Sequence, residues 1–171
     1  TMADVSAALA GTLADTYTGT VAATDAQSGA DGVTAVNALA GKTTGNVTAT
    51  LSGTAAQLGN LTTLATDVIT VTATSVPTGA DGVTAVNTLA GKTAGNVTAT
   101  VSGTAAQLAL LTTAATDVLT VSVSDAHDLA QLKAINNATA GTITLNSYAV
   151  GLSGTMADVS AALAGTLDDT Y

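Results

Sequence analysis

The chain has 171 residues and a formal net charge of −9: all twelve acids are aspartates, the cationic side chains are Lys42, Lys92 and Lys133, and Cys, Trp, Phe, Glu and Arg are absent. That composition excludes the basic footprint that nucleic-acid binding requires and any disulfide framework or thiolate metal centre. Thr and Gly break every apolar stretch well short of the ~18 residues of a membrane span.

Apolar residues make up 47% of the chain but aromatics only 2%, so any core must be thin and built from Ala, Val, Leu and Ile layers. Such a core suits a quasi-one-dimensional repeat better than a globule. With only 9% charged residues, the composition also argues against disorder. Self-comparison agrees. Residues 29–78 recur at 79–128, an offset of 50. Residues 1–17 return at 155–171, an offset of 154, differing only at Ala14 and Asp168. The expected organisation is therefore one continuous body, with 1–154 a single long period and 155–171 the restart of its first unit.

In chain order, Val21 opens the first alternating strand. Val33, Val36 and Leu39 then mark a helical stripe before the strand at Val47-Thr-Ala-Thr. Thr54 can cap a second helix carrying Leu58, Leu61 and Leu64, which precedes the strand at Val71. Val83, Val86 and Leu89 precede Val97, Val121 anchors the next strand, and Leu129, Leu132 and Ile135 precede Ile143. Asp31, Asp81 and Asp128 fall at caps or first turns, where a carboxylate favours the helix dipole. Gly41, Gly45, Gly91, Gly95 and Gly141 are placed for corners. Aligning the six strand anchors gives steps of 26, 24, 26, 24 and 22 residues. The fold class expected is a repeat solenoid of about six coils of ~26 residues, each a short helix or helical turn plus a parallel β-strand. The alternative is a right-handed-type β-helix in which the Thr-Ala-Ala-Gln-Leu segments are only turns or single helical turns. The choice turns on spacing, because strands stack ~4.8 Å apart whereas packed helices need ~8–10 Å.

The Leu-x-x-Leu-x-x-Leu step, the Thr-alternating strand and the Leu-Ser-Gly-Thr junction resemble units tiled through very long bacterial surface and secreted proteins. The resemblance covers nearly the whole chain. It implies an extracellular or cell-surface structural role and carries over no catalytic residue. The asparagine ladder of leucine-rich repeats and the Gly-Gly-x-Gly-x-Asp nonapeptides of calcium-binding RTX proteins are both missing.

Ala-Gly-Lys-Thr at 40–43 and 90–93 is half of a phosphate loop, but Val36 and Val86 stand where its first glycine belongs, so both read as corners. His127, the single histidine, is flanked by Asp125 and Asp128 without a second His or any Cys to build a general base. No enzyme is expected. Asp67 and Asp117 repeat in phase before their strands, with Asp15 in a related position. Stacking could let these three share Ca²⁺ through oxygen ligands, the one cofactor the pattern allows; capping and solubility are the plainer roles.

The largest expected surface is a threonine array: Thr20, Thr24, Thr48, Thr50, Thr70, Thr72, Thr74, Thr98, Thr100, Thr120, Thr142 and Thr144, aligned in outward columns if the six anchors point inward. Such Thr-x-Thr arrays resemble the ice-binding faces of β-solenoid antifreeze proteins and could equally carry sugars; Thr also simply suits a solvent-facing strand. Asn46, Asn60, Asn96 and Asn137 begin Asn-x-Thr sequons. The function expected is a structural subunit or segment of an extracellular fibre, sheath or surface layer, assembled head to tail with copies of itself or adjacent repeats. The alternatives are an ice-binding or glycan-decorated threonine array and a calcium-assembled adhesin module.

Overall fold

Alternation in the Thr-rich segments sets the architecture: Val47, Ala49 and Leu51 are buried while Thr48 and Thr50 between them are exposed, and each later strand repeats the pattern. One face of a sheet is thereby dry and the other wet. The computed structural model describes residues 1–10 and 17–171. Its elements run α1 (Met2–Ala8), β1 (Val21–Ser28), α2 (Gly29–Ala40), β2 (Val47–Thr54), α3 (Ala55–Leu58), β3 (Val68–Ser75) and α4 (Gly79–Ala90). There follow β4 (Val97–Gly103), α5 (Ala105–Leu108), β5 (Val118–Val123), α6 (Leu129–Asn137), β6 (Thr142–Thr144), α7 (Met156–Ala162) and β7 (Thr166–Leu167). Among the described residues the strands form a single all-parallel sheet in the order β1-β2-β3-β4-β5-β6-β7, open at both edges. This is an α/β arrangement of alternating strands and helices.

The helices form as their residues direct. The stripes Val33/Val36/Leu39, Val83/Val86/Leu89 and Leu132/Ile135 are buried against the dry face of the sheet, with Leu129 half-buried. Thr54, Thr104 and Asp128 each complete a capping box with Gln57, Gln107 and Gln131. At the start of α2 and α4 the chain turns through Gly29 and Gly79, whose φ values of +61° and +68° disfavour other residues.

Two expectations are corrected. The stripe Leu58/Leu61/Leu64 is not a helix: α3 is one turn, and although Leu61 is buried, Leu64 is 66% exposed. The backbone beyond α3 is claimed from outside. The Asn37 amide donates to the Asn60 carbonyl and accepts from the Thr62 amide, both at 2.9 Å. Asn87 holds Leu110 and Thr112 in the same way beyond α5, at 2.9 and 2.8 Å. α3 ends before Gly59 and α5 before Ala109, so the residue at that position is not what stops the helix.

The second correction is the register. Val71 pairs with Leu51 rather than Val47, and Val121 with Val101 rather than Val97. Successive strands are therefore offset by 26 (24 beyond an irregularity between Ala22 and Ala26), 20, 26, 20, 22 and 24 residues, not by nearly equal steps. A slip of four residues keeps every side chain on its own face, so burial periodicity could not distinguish the two registers. Unequal steps also resolve the spacing conflict. The twelve-residue helices α2 and α4 alternate with the one-turn helices α3 and α5, so the long helices recur every second strand, ~9.6 Å apart, within the range of packed helices. At the C-terminal end α6 and α7 occupy neighbouring units, and there the strands shorten to three and two residues.

Candidate functional site

The wet face of the sheet carries the threonine array. Thr20, Thr24, Thr48, Thr50, Thr70, Thr72, Thr74, Thr100 and Thr120 are exposed, and Thr98, Thr142 and Thr144 are half-buried. The register turns the expected columns into pairs. Thr50 faces Thr70, Thr72 faces Thr98, Thr100 faces Thr120 and Thr142 faces Thr166. Thr48, however, lies beside Val68, and Thr98 has Val118 on its other side. Both valines are exposed, at 39% and 43%, so an apolar side chain interrupts the hydroxyl rows at each 20-residue step. The face is uncharged over its central strands, and the Asn46, Asn60, Asn96 and Asn137 side chains are all exposed.

Asp67 and Asp117, the proposed calcium ligands, are not on that surface. They are buried at 3% and 4% exposure where the chain enters β3 and β5. One oxygen of Asp67 accepts the Val47 amide at 2.7 Å and the other the Leu64 amide at 2.8 Å. Asp117 takes the Val97 and Ala114 amides at 2.7 and 2.9 Å. Their carboxyl groups are thus committed to backbone donors of the preceding strand and of their own turn. Asp15 lies outside the described residues. Among the described residues no group of three or more His, Cys, Asp or Glu side chains is placed to hold a metal ion.

A second set of buried locks went unread in the sequence. Thr93 Oγ1 accepts the amides of Ile69 and Gly95, both at 2.8 Å, and points its proton at the carbonyls of Asp67 and Ile69, 2.9 and 2.8 Å away. Thr139 does the same for Leu119, Gly141 and Asp117, and Thr43 sits likewise against Tyr17, Gly19 and Gly45. Thr43 and Thr93 are the threonines of the two Ala-Gly-Lys-Thr corners. Beside them, Lys92 Nζ donates to the Leu61 carbonyl at 2.6 Å and Lys42 Nζ to that of Leu9 at 3.4 Å. The lysines therefore tie one unit to the one before it. The legible signal was phase, since Asn37, Lys42 and Thr43 recur fifty residues later as Asn87, Lys92 and Thr93.

His127 is 4% exposed at the entry to α6, beside a cleft of ≈ 680 Å³ that Lys133 and Asp158 also line. Its Nε2 is 3.2 Å from the Tyr171 hydroxyl, which itself donates to the Val150 carbonyl, and Tyr148 packs edge-on against Tyr171. Nε2 therefore carries the proton, leaving Nδ1 buried without a partner. Burial pushes the imidazole below its ordinary pKa of 6.5, although Asp128 and Asp125 pull it upward. A folded value below the unfolded one means that stability is full above pH 6.5 and falls as the pH drops through the folded value. The thermal midpoint is accordingly expected to decline between pH 7.5 and 5, and His127→Gln to lose most of that decline; parallel melting curves at both pH values check it.

Comparison with protein-family models, with curated proteins and with solved structures returns no match. Among the described residues no helix is long and apolar enough to cross a membrane.

Proposed function

We propose that this chain is a non-enzymatic structural subunit or segment of an extracellular fibre, sheath or surface layer, in which helix–strand coils form a solenoid continued head to tail by further copies. The observation that carries the reading is the identity of its two ends. The segment Thr-Met-Ala-Asp-Val-Ser-Ala-Ala-Leu-Ala-Gly-Thr-Leu stands at 1–13 and again at 155–167, and between them a parallel sheet advances one strand at a time in a single direction. A parallel strand order without reversals supports extension because the last strand presents the same kind of edge that each earlier strand offered its successor. Backbone ladders, aliphatic layers and the Asp and Thr locks supply cohesion without disulfides. The open hydroxyl face would form the lateral surface, available to glycans or to neighbouring fibres.

Electron microscopy of concentrated protein tests the reading. Filaments with an axial repeat of about six strand spacings, ~29 Å, are the expected result. Isolated particles at every concentration would overturn it.

A further inference from the structure

The heptapeptide Met-Ala-Asp-Val-Ser-Ala-Ala forms both α1 and α7, and the two copies bury different faces, about 120° apart around the helix, with the valine (Val5, Val159) half-buried in both. In α1, Met2 is 5% exposed, its amide donates to Asp25 of β1, and Lys42 at the end of α2 reaches the Leu9 carbonyl, while Ala8 faces solvent. In α7, Ala162 is fully buried and Met156, the counterpart of Met2, is 84% exposed. The contacts of α7 run toward the unit before it: Asp158 pairs with Lys133 at 2.6 Å, and the Asn136 amide donates to the Ala161 carbonyl at 2.7 Å. One sequence thus shows two docking faces, each covered at only one end of the molecule. The chain itself displays what covers the face left open on α7, namely the β1–α2 segment on which Met2 sits.

We infer that the Met156 face of α7 is the seat for β1 and α2 of a second copy of this chain, whose own residues 1–10 are displaced. The inference rests on the head-to-tail reading and names its joint. Met156 takes the place of Met2, its amide meets Asp25 of the second copy, and Lys42 of that copy meets the Leu163 carbonyl. α7 then has both faces buried, as a helix inside a continuous stack must. The contact is heterologous, so each added copy presents a fresh α7 and growth does not close. Displacement is accessible because α1 is only seven residues long, a length marginal on its own in water. Contacts are exchanged like for like, so chain concentration sets the extent of association.

Two substitutions act in opposite directions. Met2→Asp weakens the chain's own plug while leaving α7 intact, and Met156→Asp spoils the incoming plug at a position already exposed in the single chain. Sedimentation equilibrium of the full chain is expected to show Met2→Asp associating at a concentration about tenfold or more below wild type, the scale set by burying one methionine side chain. Met156→Asp, and the double variant, should stay monomeric where wild type associates. Association unchanged by either substitution would overturn the joint, as would a Met2→Asp chain that remains monomeric throughout. Filaments insensitive to both variants would leave the fibre standing and remove this joint. Short oligomers that respond in the expected directions without forming filaments would keep the joint and remove the fibre.

Discussion

Replacing Asp67 or Asp117 with alanine is expected to destabilise the chain by about 2–5 kcal/mol, because each carboxyl group satisfies two backbone amides, one of them in a fully buried hydrogen bond. Val47 and Leu64 donate to Asp67 at 2.7 and 2.8 Å, in a side chain only 3% exposed. Alanine removes both acceptors, and the Val47 amide, whose hydrogen bond is buried, loses its partner. Asparagine keeps one acceptor but turns an amide donor toward a backbone donor, so Asp67→Asn should recover only part of the loss. The main chain at the same residue reaches the other way, its carbonyl accepting from Ala94 at 2.7 Å. Asp67 thus couples three successive units, and its loss should lower the cooperativity of unfolding as well as its midpoint. Urea denaturation followed by circular dichroism reads both, through the midpoint and the slope. A change below about 0.5 kcal/mol, the usual range for surface substitutions, would mean that these hydrogen bonds do not form.

Gly95→Ala and Gly141→Ala should be as damaging or worse, although each adds a single methyl group. A Cβ on Gly95 would lie 2.5 Å from the carbonyl carbon of Ile69, and one on Gly141 would lie 2.2 Å from the Leu119 oxygen. The obstacles are backbone atoms of the preceding strand, which cannot move without separating the two strands or breaking the Thr93 or Thr139 lock beside them. Overpacking of this kind costs about 1–3 kcal/mol where side chains can adjust, and more where backbone must shift. Gly91→Ala supplies the control. Gly91 closes α4 in a right-handed conformation with φ −71°, and an added Cβ would stand 3.6 Å from the Asn87 and Thr88 carbonyl oxygens, an ordinary contact. That substitution should be neutral or stabilising by about 0.5 kcal/mol. Thermal melts of the three variants side by side separate close approach from a general intolerance of the corners.

The sequence displayed the long helices plainly. Val33, Val36 and Leu39 keep a three-residue spacing that only a helix can bury on one side, and the copy at Val83, Val86 and Leu89 repeats it. Strand positions and inward faces were equally readable from the Val-Thr-Ala-Thr alternation. Alignment of the strands was not, since Val47 and Val71 begin the same four-letter motif and invite pairing, yet the ladder sets Val71 beside Leu51. Nothing local decides between the two, because the choice is made by Asp67 reaching Val47 and by the Asn37 side chain reaching Asn60 and Thr62. The same long-range bonds kept α3 to one turn and left Leu64 in solvent. Asp67 stood out in the sequence for its phase, and capping, solubility and a shared calcium ion were all open to it, because a carboxyl group facing solvent and one facing two amides are the same letter.

The alternation of long and one-turn helices constrains how such a chain can change length. Deleting one short unit would set two twelve-residue helices on neighbouring strands, at half the distance they need. Deleting a long one would leave two single turns side by side over an uncovered stretch of sheet. Only removal or duplication of a long unit together with a short one restores the pattern, and the fifty-residue repeat from 29–78 to 79–128 is one such pair. Growth and shrinkage of the stretch from α2 to α5 are therefore quantised in pairs, so that the unit of duplication there is twice the structural unit that a single strand defines.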